Sequence, residues 1–371
     1  MRFDVKTLVK NGLLPAKNAL RRAFDYHSHW EHRIEANSIL KTLEGKLGKT
    51  DPKNIKLANE YAREVLGHTH YAPWLYVYTA LTGTFKEGWI PDNYYGSVVV
   101  PRLKGSYGNI SSLKPLTYTI FKSDTFPDIA SFVNGLFLTI DNTPINHRDV
   151  ENFLFNSAEK IVFKVDNSKQ GDGVFFFEKK SFDIEKIKLL GNGVFQSYLV
   201  QHKLFDDFAP NSVATLRMTT VVNDGGSISL RACYLRLGRI NDTHIQSKSH
   251  IRVPVDLSSG EFSTEGYLPN WLTVKEHPDT KMKFSGCYIP SFAQCVSTVL
   301  ELHKKAPFAR SIGWDVTVDI DNNVKLIEWN GAHNDIRFTE ATQGPSFADL
   351  GWDRLSSVRE IDISRLVGRI Q

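Results

Sequence analysis

The sequence predicts an α+β fold with a mainly helical N-terminal region. Residues 36–45 and 54–66 carry apolar side chains at helical spacing. From about residue 115, short runs rich in β-branched and aromatic residues alternate with helical segments. Two of these runs, 314–320 and 324–329, flank a turn rich in Asp and Asn, which is typical of an antiparallel hairpin. Helices first and hairpins later indicate an α+β body.

The N-terminal helices have recognisable ends. Thr50 or Asp51, followed by Pro52, predicts a helix start, because proline is favoured in the first helical turn. Gly67 predicts a helix end. The aromatic and apolar residues of 74–81 predict a further, buried helix.

The strand-like runs lie in the second part of the chain. The predicted strands are 117–121, 135–140, 160–165, 173–178, 194–200, 216–222, 228–237, 314–320 and 324–329. A helix is expected over 291–305, between the last two groups of strands, and another over 347–371. No internal repeat or low-complexity segment interrupts this pattern.

The composition is that of an ordinary globular protein. Hydrophobic residues make up 41% and charged residues 23% of the 371 positions. A net charge of +4 suits an anionic small-molecule substrate and lacks the clustered basicity of a nucleic-acid binder. Three cysteines without a motif favour a reducing compartment. A cytoplasmic location is therefore expected.

A transmembrane segment is not expected. The N-terminus lacks the continuous apolar stretch of a signal peptide, and no run of 18 apolar residues occurs. The apolar residues of the basic segment 1–24 can line one side of a helix. Such a helix either packs on the rest of the fold or makes a peripheral membrane contact.

A polar loop with two glycines lies within FKVDNSKQGDGVFFFE, residues 163–178. Gly171 and Gly173 permit close backbone approach, and exposed backbone N–H groups can cradle phosphate oxygens. Lys164 lies beside the loop and can neutralise phosphate charge. The alternative is an ordinary hairpin turn. The Walker spacing is absent, and no helix follows the glycines.

The segment GWDVTVDIDNNVKLIEWNG predicts a hairpin with an acidic face. A two-residue turn at Asp321 and Asn322 places Asp315 directly opposite Glu328. Asn330 then points to the same face. Two carboxylates and an amide oxygen are ligands that suit Mg²⁺. The alternative is a solvated face, and a register slip of one residue would separate the acids.

Four arginines occur on strand-like, otherwise apolar sequence within residues 211–239: Arg217, Arg231, Arg236 and Arg239. A buried arginine needs a partner. Its guanidinium can grip a phosphate or carboxylate with two hydrogen bonds. Structural salt bridges are the alternative for each of them.

The order of these motifs resembles the ATP-grasp superfamily. It is most similar to the sugar-transfer-associated ATP-grasp family, whose members resemble glutamate-ligase-like enzymes and are linked to surface-polysaccharide synthesis. The resemblance spans residues 58–345 and rests on the segments PWLYVYTALTGTFKEGWIPDNYY, FKVDNSKQGDGV, LVQHKLFDDFAPNSVATLRMTTVV, LRLGR, HPDTKMKFSGCYIP and IGWDVTVDIDNNVKLIEWNG. It implies two α+β subdomains that grip ATP, 106–195 and 196–345, between a helical region (1–105) and a helical tail (346–371).

The resemblance also implies roles for matching residues. ATP would be bound by the phosphate lysines Lys122 and Lys164, the flap residues Ser168, Gly171, Gly173 and Val174, and the adenine hinge Gln201, His202 and Lys203. Arg217 and Lys164 would be catalytic, with Arg217 on the γ-phosphate or an acyl phosphate. Asp315, Glu328 and Asn330 would hold Mg²⁺, with Mn²⁺ as an alternative.

The activity that the resemblance implies is ATP-dependent ligation of a carboxylate to an amine through an acyl phosphate. The expected substrates are a sugar acid and an amino acid or other amine, in polysaccharide biosynthesis. The acceptor pocket is expected to include Arg236, Arg239, His333, Asn334 and Arg337. This region departs from the family, because IQSKSHIRVPVDLSSGEF lacks the Gly-Gly pair that often follows LRLG.

Other functions remain open at this point. A kinase would use the same ATP cleft to phosphorylate a hydroxyl group, and a scaffold in glycan assembly would keep the cleft without catalysis. A zinc protein is a third alternative, built on His27, His29 and His32 or on His68 and His70. The sequence indicates no oligomeric state.

Overall fold

The computed structural model describes residues 27–168, 173–245 and 249–357. Three predictions lie outside these residues: the amphipathic segment 1–24, Gly171 of the glycine loop, and residues 358–371 of the C-terminal helix. The chain divides into two units after residues 99 and 335, where the sequence placed boundaries after residues 105 and 345. The first unit runs up to Val99 and resumes at Ile336, and the second is Val100–Asp335.

The first unit is mainly helical, as predicted. The α-helices in the described part of the chain are α1 (27–47), α2 (Pro52–Glu64), α3 (Ala72–Thr82), α4 (Asp92–Tyr94), α5 (Val100–Leu103), α6 (Thr117–Phe121), α7 (Val150–Leu154), α8 (Ile184–Leu190), α9 (Lys203–Phe208), α10 (Phe292–His303) and α11 (Arg337–Gln343). Within the described residues, none of them is both long enough and apolar enough to cross a bilayer.

The start of α2 confirms the sequence signal. The Asp51 carboxylate accepts a hydrogen bond from the Lys53 amide at 2.8 Å, and Pro52 is the first residue of α2. This helix ends at Glu64, and Gly67, the predicted helix end, follows three residues later with a φ of 91°. Helix α3 ends at Gly83, whose φ of 77° lies in the left-handed region. Trp74 of α3 is fully buried, and α11 packs against this helix.

Three histidines of the first unit form a stack of rings. The centroid of the His70 ring lies 3.8 Å from that of His29 and 3.9 Å from that of His68. Burial, and then the two neighbouring imidazoles, lower the pKa of His70 to about 3. Among the described residues, no group of three or more His, Cys, Asp or Glu side chains is arranged to hold a metal ion.

The second unit contains two antiparallel sheets. The strands are β1 (Asp128–Val133), β2 (Leu136–Thr139), β3 (Lys160–Val165), β4 (Val174–Glu178), β5 (Gly193–Ser197), β6 (Thr215–Val222), β7 (Ile228–Leu237), β8 (Ile251–Pro254), β9 (Gly266–Tyr267), β10 (Thr273–Val274), β11 (Ser311–Val318) and β12 (Val324–Asn330). The first sheet has the order β2-β1-β5-β3-β4, and the second has the order β10-β9-β8-β7-β6-β11-β12. The α+β class is therefore confirmed.

The second sheet separates an apolar face from a polar face. Alternate residues of β6, such as Leu216 and Met218, are fully buried in a core that also includes Cys295 and Val299 of α10. Neighbouring side chains point the other way, because successive residues of a strand face opposite sides. That opposite face is where Arg217 lies.

The predicted strand 117–121 is wrong, because these residues form helix α6. The β-branched and aromatic pattern favours a strand only as a weak preference, and tertiary packing overrides it here. Phe121 is fully buried, with its ring centroid 5.0 Å from that of Trp329. The Thr117 hydroxyl accepts a hydrogen bond from Trp329 Nε1 at 3.3 Å. A helical turn brings both side chains to this tryptophan.

Candidate functional site

The acidic hairpin has the predicted pairing but a different turn. Asp315 lies directly opposite Glu328, as predicted. The turn is longer than two residues, because Val318 pairs with Val324 and the Asp319 amide donates to the Asn323 carbonyl at 2.9 Å. A register shift between Asp315 and Val316 compensates for the longer turn.

The register shift leaves Ile327 as the extra residue of β12. Its carbonyl accepts a hydrogen bond from Lys164 Nζ at 2.9 Å. Lys164 belongs to β3 of the first sheet, so the bulge of one sheet holds the lysine of the other. Bulges are frequent next to active sites, where they redirect a group from the ladder.

A small cavity, with a volume of about 10 Å³, lies where the two sheets meet. Its lining consists of Ser111, Lys114, Thr117, Phe126, Asp128, Lys164, Val194, Gln196, Ile327, Glu328 and Trp329. Lys114 Nζ lies 3.1 Å from Glu328 Oε1. Gln196 Nε2 donates to Asp128 Oδ1 at 2.7 Å. Two lysines and two carboxylates thus share one enclosed space.

Burial alters the acid–base behaviour of this cavity. It lowers the pKa of Lys164 to about 8, although the nearby Glu328 carboxylate opposes the change. Burial also raises the pKa of Asp128 to about 6, against the effect of its bond from Gln196. Perturbed titratable groups in an enclosed site are typical of functional sites.

Asp315 is held by two arginines of adjacent strands. Arg217 Nε donates to Asp315 Oδ1 at 2.6 Å, and Arg236 Nη2 lies 2.7 Å from Oδ2. Burial opposes ionisation of Asp315, but the two guanidinium groups outweigh it and lower its pKa to about 2. Asp315 also acts electrostatically on Lys164, which connects this cluster to the cavity.

Gly313 gives Arg217 the space to reach Asp315. A Cβ atom at this position would lie 2.7 Å from the Asn334 Cβ and 3.3 Å from the Arg217 Cδ. Arg217 Nη1 donates to the Asn334 carbonyl at 3.2 Å. The guanidinium is therefore fixed on both sides, by a carboxylate and by a backbone carbonyl.

Of the two lysines predicted to bind phosphate, the structure brings only Lys164 to the cavity. Lys122 is exposed at the end of α6 and does not line the cavity. Lys114 lines it, together with Asp128 and Gln196, and sequence reasoning missed all three. Lys114 precedes a proline in a segment without a strand or helix pattern, so only the proximity of the two sheets identifies it.

The described residues of the glycine loop lie next to the end of β3 and the start of β4. Ser168 Oγ donates to the Val165 carbonyl at 2.7 Å, and Val174 pairs with Lys164. A Cβ at Gly173 would lie 2.3 Å from that of Ser168, so this position requires glycine. The predicted flap thus begins beside the cavity lysine.

The predicted adenine hinge follows β5 and contacts the second sheet. The His202 amide donates to the Val318 carbonyl at 2.8 Å. Gln201 is buried, and its side chain bonds the Ala209 carbonyl and the Ala214 amide. Lys203 pairs with Asp207 at the surface. In this arrangement the Gln201 side chain has a structural role.

The residues predicted for the acceptor pocket are only partly brought together. Arg236 and Asn334 contact the Arg217–Asp315 cluster. Arg239 instead pairs with Asp279 through two bonds of 2.8 and 2.6 Å. His333 is exposed, and its Nδ1 accepts from the Asp335 amide at 3.3 Å.

Arg337 belongs to the first unit, whereas the other predicted pocket residues belong to the second. Its Nη1 lies 2.6 Å from Glu35 Oε1, and its guanidinium lies 5.2 Å from the centre of the Trp74 ring. These contacts give it a structural partner within the helical unit.

Comparison with known proteins supports the resemblance seen in the sequence. Residues 186–350 match the family described as sugar-transfer associated ATP-grasp. The match covers less than half of the chain and includes Arg217, Arg236, Asp315, Glu328 and Asn330. The predicted family resemblance is thereby confirmed over this region. No curated protein matches the chain.

Several solved structures are similar to this chain, with sequence identities of 10–12% and TM-scores of 0.38–0.40. The biotin carboxylase domain of the Hydrogenobacter thermophilus 2-oxoglutarate carboxylase is 10% identical, with 68% of this chain and 46% of that chain covered and a TM-score of 0.40. The N5-carboxyaminoimidazole ribonucleotide synthetase from Thermotoga maritima is 10% identical (71% and 57% covered, TM-score 0.39). The ATP-grasp ligase PsnB is 12% identical (69% and 62%, TM-score 0.38). The chain spans between 46% and 62% of the length of these proteins.

Proposed function

Taking residues 186–350 as a sugar-transfer-associated ATP-grasp region, we propose that the protein is an ATP-dependent carboxylate–amine ligase. It activates a carboxylate, in our proposal that of a sugar acid, as an acyl phosphate. An amino acid or another amine then forms the amide. The reaction would serve the assembly of a surface polysaccharide.

The observation that supports this proposal most is the enclosed set of cations between the sheets. Lys114, Lys164 and Arg217 are buried, and they surround the carboxylates of Glu328 and Asp315. In phosphoryl transfer the protein need not form a covalent bond to the substrate. It has to position the reactants and to place positive charge next to the phosphoryl group that is transferred. Fixed cations in a site shielded from water supply such stabilisation.

The residues present fit a hard divalent cation. Glu328 is half-buried with one oxygen on Lys114, and Asn330 uses its amide nitrogen on the Gly313 carbonyl, which leaves the amide oxygen to act as a ligand. Asp315 has both oxygens on guanidinium groups, so it joins this set only when an arginine moves to a phosphate. Oxygen ligands of this kind bind Mg²⁺, which offsets phosphate charge when bound.

The proposed chemistry has two steps. A carboxylate oxygen of the substrate attacks the γ-phosphorus of ATP, the bond to the bridging oxygen breaks, and ADP leaves. The amine nitrogen then attacks the acyl carbon, the bond to phosphate breaks, and the amine proton passes to solvent. In this scheme Arg217 and Lys164, both buried, neutralise the phosphoryl oxygens at a position where the access of water is limited.

Trapping with hydroxylamine tests the acyl phosphate directly. The protein is incubated with Mg-ATP, hydroxylamine and a panel of uronic acids and amino acids, and ADP and hydroxamate are measured. We expect one substrate to give both products in equal amounts. ADP with a phosphoester that resists hydroxylamine would identify a hydroxyl kinase instead. Nucleotide binding without any ADP would support a scaffold.

We expect nucleotide binding to depend on pH, because the charge of Lys164 changes near neutral pH. Its pKa of about 8 means that the lysine is charged at pH 7 and largely neutral at pH 9.5. Mg-ATP affinity is therefore expected to fall by about tenfold across this interval. Calorimetry in two buffers of different ionisation enthalpy measures the affinity and the accompanying proton uptake. A Lys164→Met variant should bind Mg-ATP weakly and should lack this pH-dependent fall in affinity. An affinity of the unaltered protein that does not change across this pH interval would contradict the proposed role of Lys164.

A further inference from the structure

The polar face of the second sheet extends well beyond the Asp315 cluster. Arg236 of β7 lies directly opposite Arg252 of β8, and Arg252 lies opposite Tyr267 of β9. Directly opposed residues share a face. Tyr234 precedes Arg236 by two residues and is paired with Arg217. All of these side chains therefore line the face on which Arg217 meets Asp315.

Two arginines opposite each other are unfavourable unless an anion lies between or beside them. Asp315 forms an ion pair with Arg217 and another with Arg236. Arg236 has a side chain that is only 14% exposed, and its Nε is buried without a hydrogen-bond partner among the described residues. A buried donor without a partner is costly, and a bound anion would satisfy it.

Arg252 is held in place by contacts on its own side of the sheet. Its guanidinium lies 4.9 Å from the centre of the Trp271 ring, and its Nη2 donates to the Leu268 carbonyl at 3.3 Å. Arg252 and Tyr267 are only partly buried, so a ligand can reach them from solvent. Burial and Glu265 raise the pKa of Tyr267 while Arg252 opposes the shift, which keeps the hydroxyl protonated as a donor.

We infer that Arg236, Arg252 and Tyr267 form a subsite for an anionic group of the substrate, either a carboxylate or a phosphate. The guanidinium groups provide paired N–H donors and the phenol an O–H donor, which match the oxygens of such a group. Arg252 lies two strands from Arg217, or about 10 Å. The substrate would therefore carry a second anionic group at some distance from its reacting carboxylate. As a substrate assignment, this inference rests on the proposed function.

Matched pairs of probes test the subsite without nucleotide. Glucuronate is compared with glucuronate 1-phosphate, which adds a phosphate, and butyrate is compared with glutarate, which adds a carboxylate. Calorimetry is expected to show, in at least one pair, that the probe with two anionic groups binds about tenfold more tightly than the probe with one. The pair that shows the difference identifies the anionic group. Equal binding within both pairs would overturn the subsite.

Variants assign the effect to these residues. Arg252→Gln is expected to bring the ratio of affinities close to one, and Tyr267→Phe, which keeps the ring, to reduce it. Arg231→Gln is the control, because this arginine of the same strand as Arg236 bonds Ser229 at the bulge of β7. A ratio that persists in both Arg252→Gln and Tyr267→Phe would overturn the inference.

The nucleotide response keeps the two proposals distinguishable. Arg252→Gln is expected to retain the rise in unfolding temperature that Mg-ATP produces in the unaltered protein. If Mg-ATP gives no rise in any variant while the preference for the probe with two anionic groups depends on Arg252, the proposed function fails and the anion subsite stands. If Mg-ATP gives the rise but neither probe pair differs, the subsite fails alone.

Discussion

Replacing Glu328 by glutamine is expected to lower ATP turnover by about a hundredfold or more, while the protein stays folded. The Glu328 side chain is 32% exposed at the cavity and lies 3.1 Å from Lys114 Nζ. Glutamine keeps an oxygen that can accept from Lys114, but it removes the negative charge needed for a divalent cation. Steady-state ADP release, with circular dichroism to verify folding, measures the effect.

A matched substitution on α10 controls for the loss of any carboxylate. Glu301 pairs with Lys304 on an exposed helix face, and its side chain is 67% exposed. Glu301→Gln is expected to leave turnover unchanged, since an exposed pair contributes little. Normal ATP turnover in a folded Glu328→Gln variant would contradict a catalytic role for Glu328.

Replacing Asp315 by asparagine is expected to reduce the free energy of unfolding by about 3–5 kcal/mol, because it leaves two buried guanidinium groups without their counter-charge. The side chains of Arg217 and Arg236 are only 9% and 14% exposed. Urea unfolding followed by tryptophan fluorescence measures the loss, since Trp314 and Trp329 are buried in the same hairpin. Mg-ATP binding should weaken in the same variant.

The same ion cluster gives stability a defined pH dependence. The pKa of Asp315 is about 2 in the folded protein, which is lower than in an unfolded chain. Its contribution is therefore complete above the unfolded pKa and is lost as the pH falls through about 2. The urea midpoint of the unaltered protein should fall more steeply below pH 4 than that of Asp315→Asn.

Asp224→Asn is the control for the predicted loss of unfolding free energy in Asp315→Asn. The Asp224 side chain pairs with Arg310 at 2.6 Å but is 92% exposed. Its loss should change the free energy of unfolding by less than about 0.5 kcal/mol. A change of similar size at Asp315 would mean that the two arginines are stabilised by other groups.

The acidic hairpin illustrates how far sequence reasoning reaches. Alternation and turn residues predict both strands and the pairing of Asp315 with Glu328. They do not predict the longer turn or the bulge at Ile327, because each shifts the register by one residue and the two shifts cancel at Asp315. The carbonyl that holds Lys164 arises from this bulge.

The two lysines of the cavity, Lys114 and Lys164, illustrate the limit of sequence reasoning. Lys164 is recognisable because it lies on a clear strand next to a glycine loop. Lys114 begins a 3₁₀ turn that leads directly into α6, and α6 forms where the sequence pattern favours a strand. The burial of Phe121 against Trp329 determines that conformation, and these residues are more than two hundred positions apart.

The arginine cluster depends on sheet order in the same way. The sequence identifies Arg217 and Arg236 as strand residues that need partners. It does not show that β6 lies between β7 and β11, which is what brings both arginines to Asp315. Strand β8 lacks a clear pattern, so the position of Arg252 opposite Arg236 is visible only in the folded sheet.

Thermal unfolding with and without Mg-ATP tests the central claim, that the cavity between the sheets binds a magnesium–nucleotide complex. A ligand that binds only the folded state raises the unfolding temperature. We expect millimolar Mg-ATP to produce a rise that EDTA removes and that Glu328→Gln lacks. An unchanged unfolding temperature in the unaltered protein, at ATP concentrations up to several millimolar, would contradict nucleotide binding at this site.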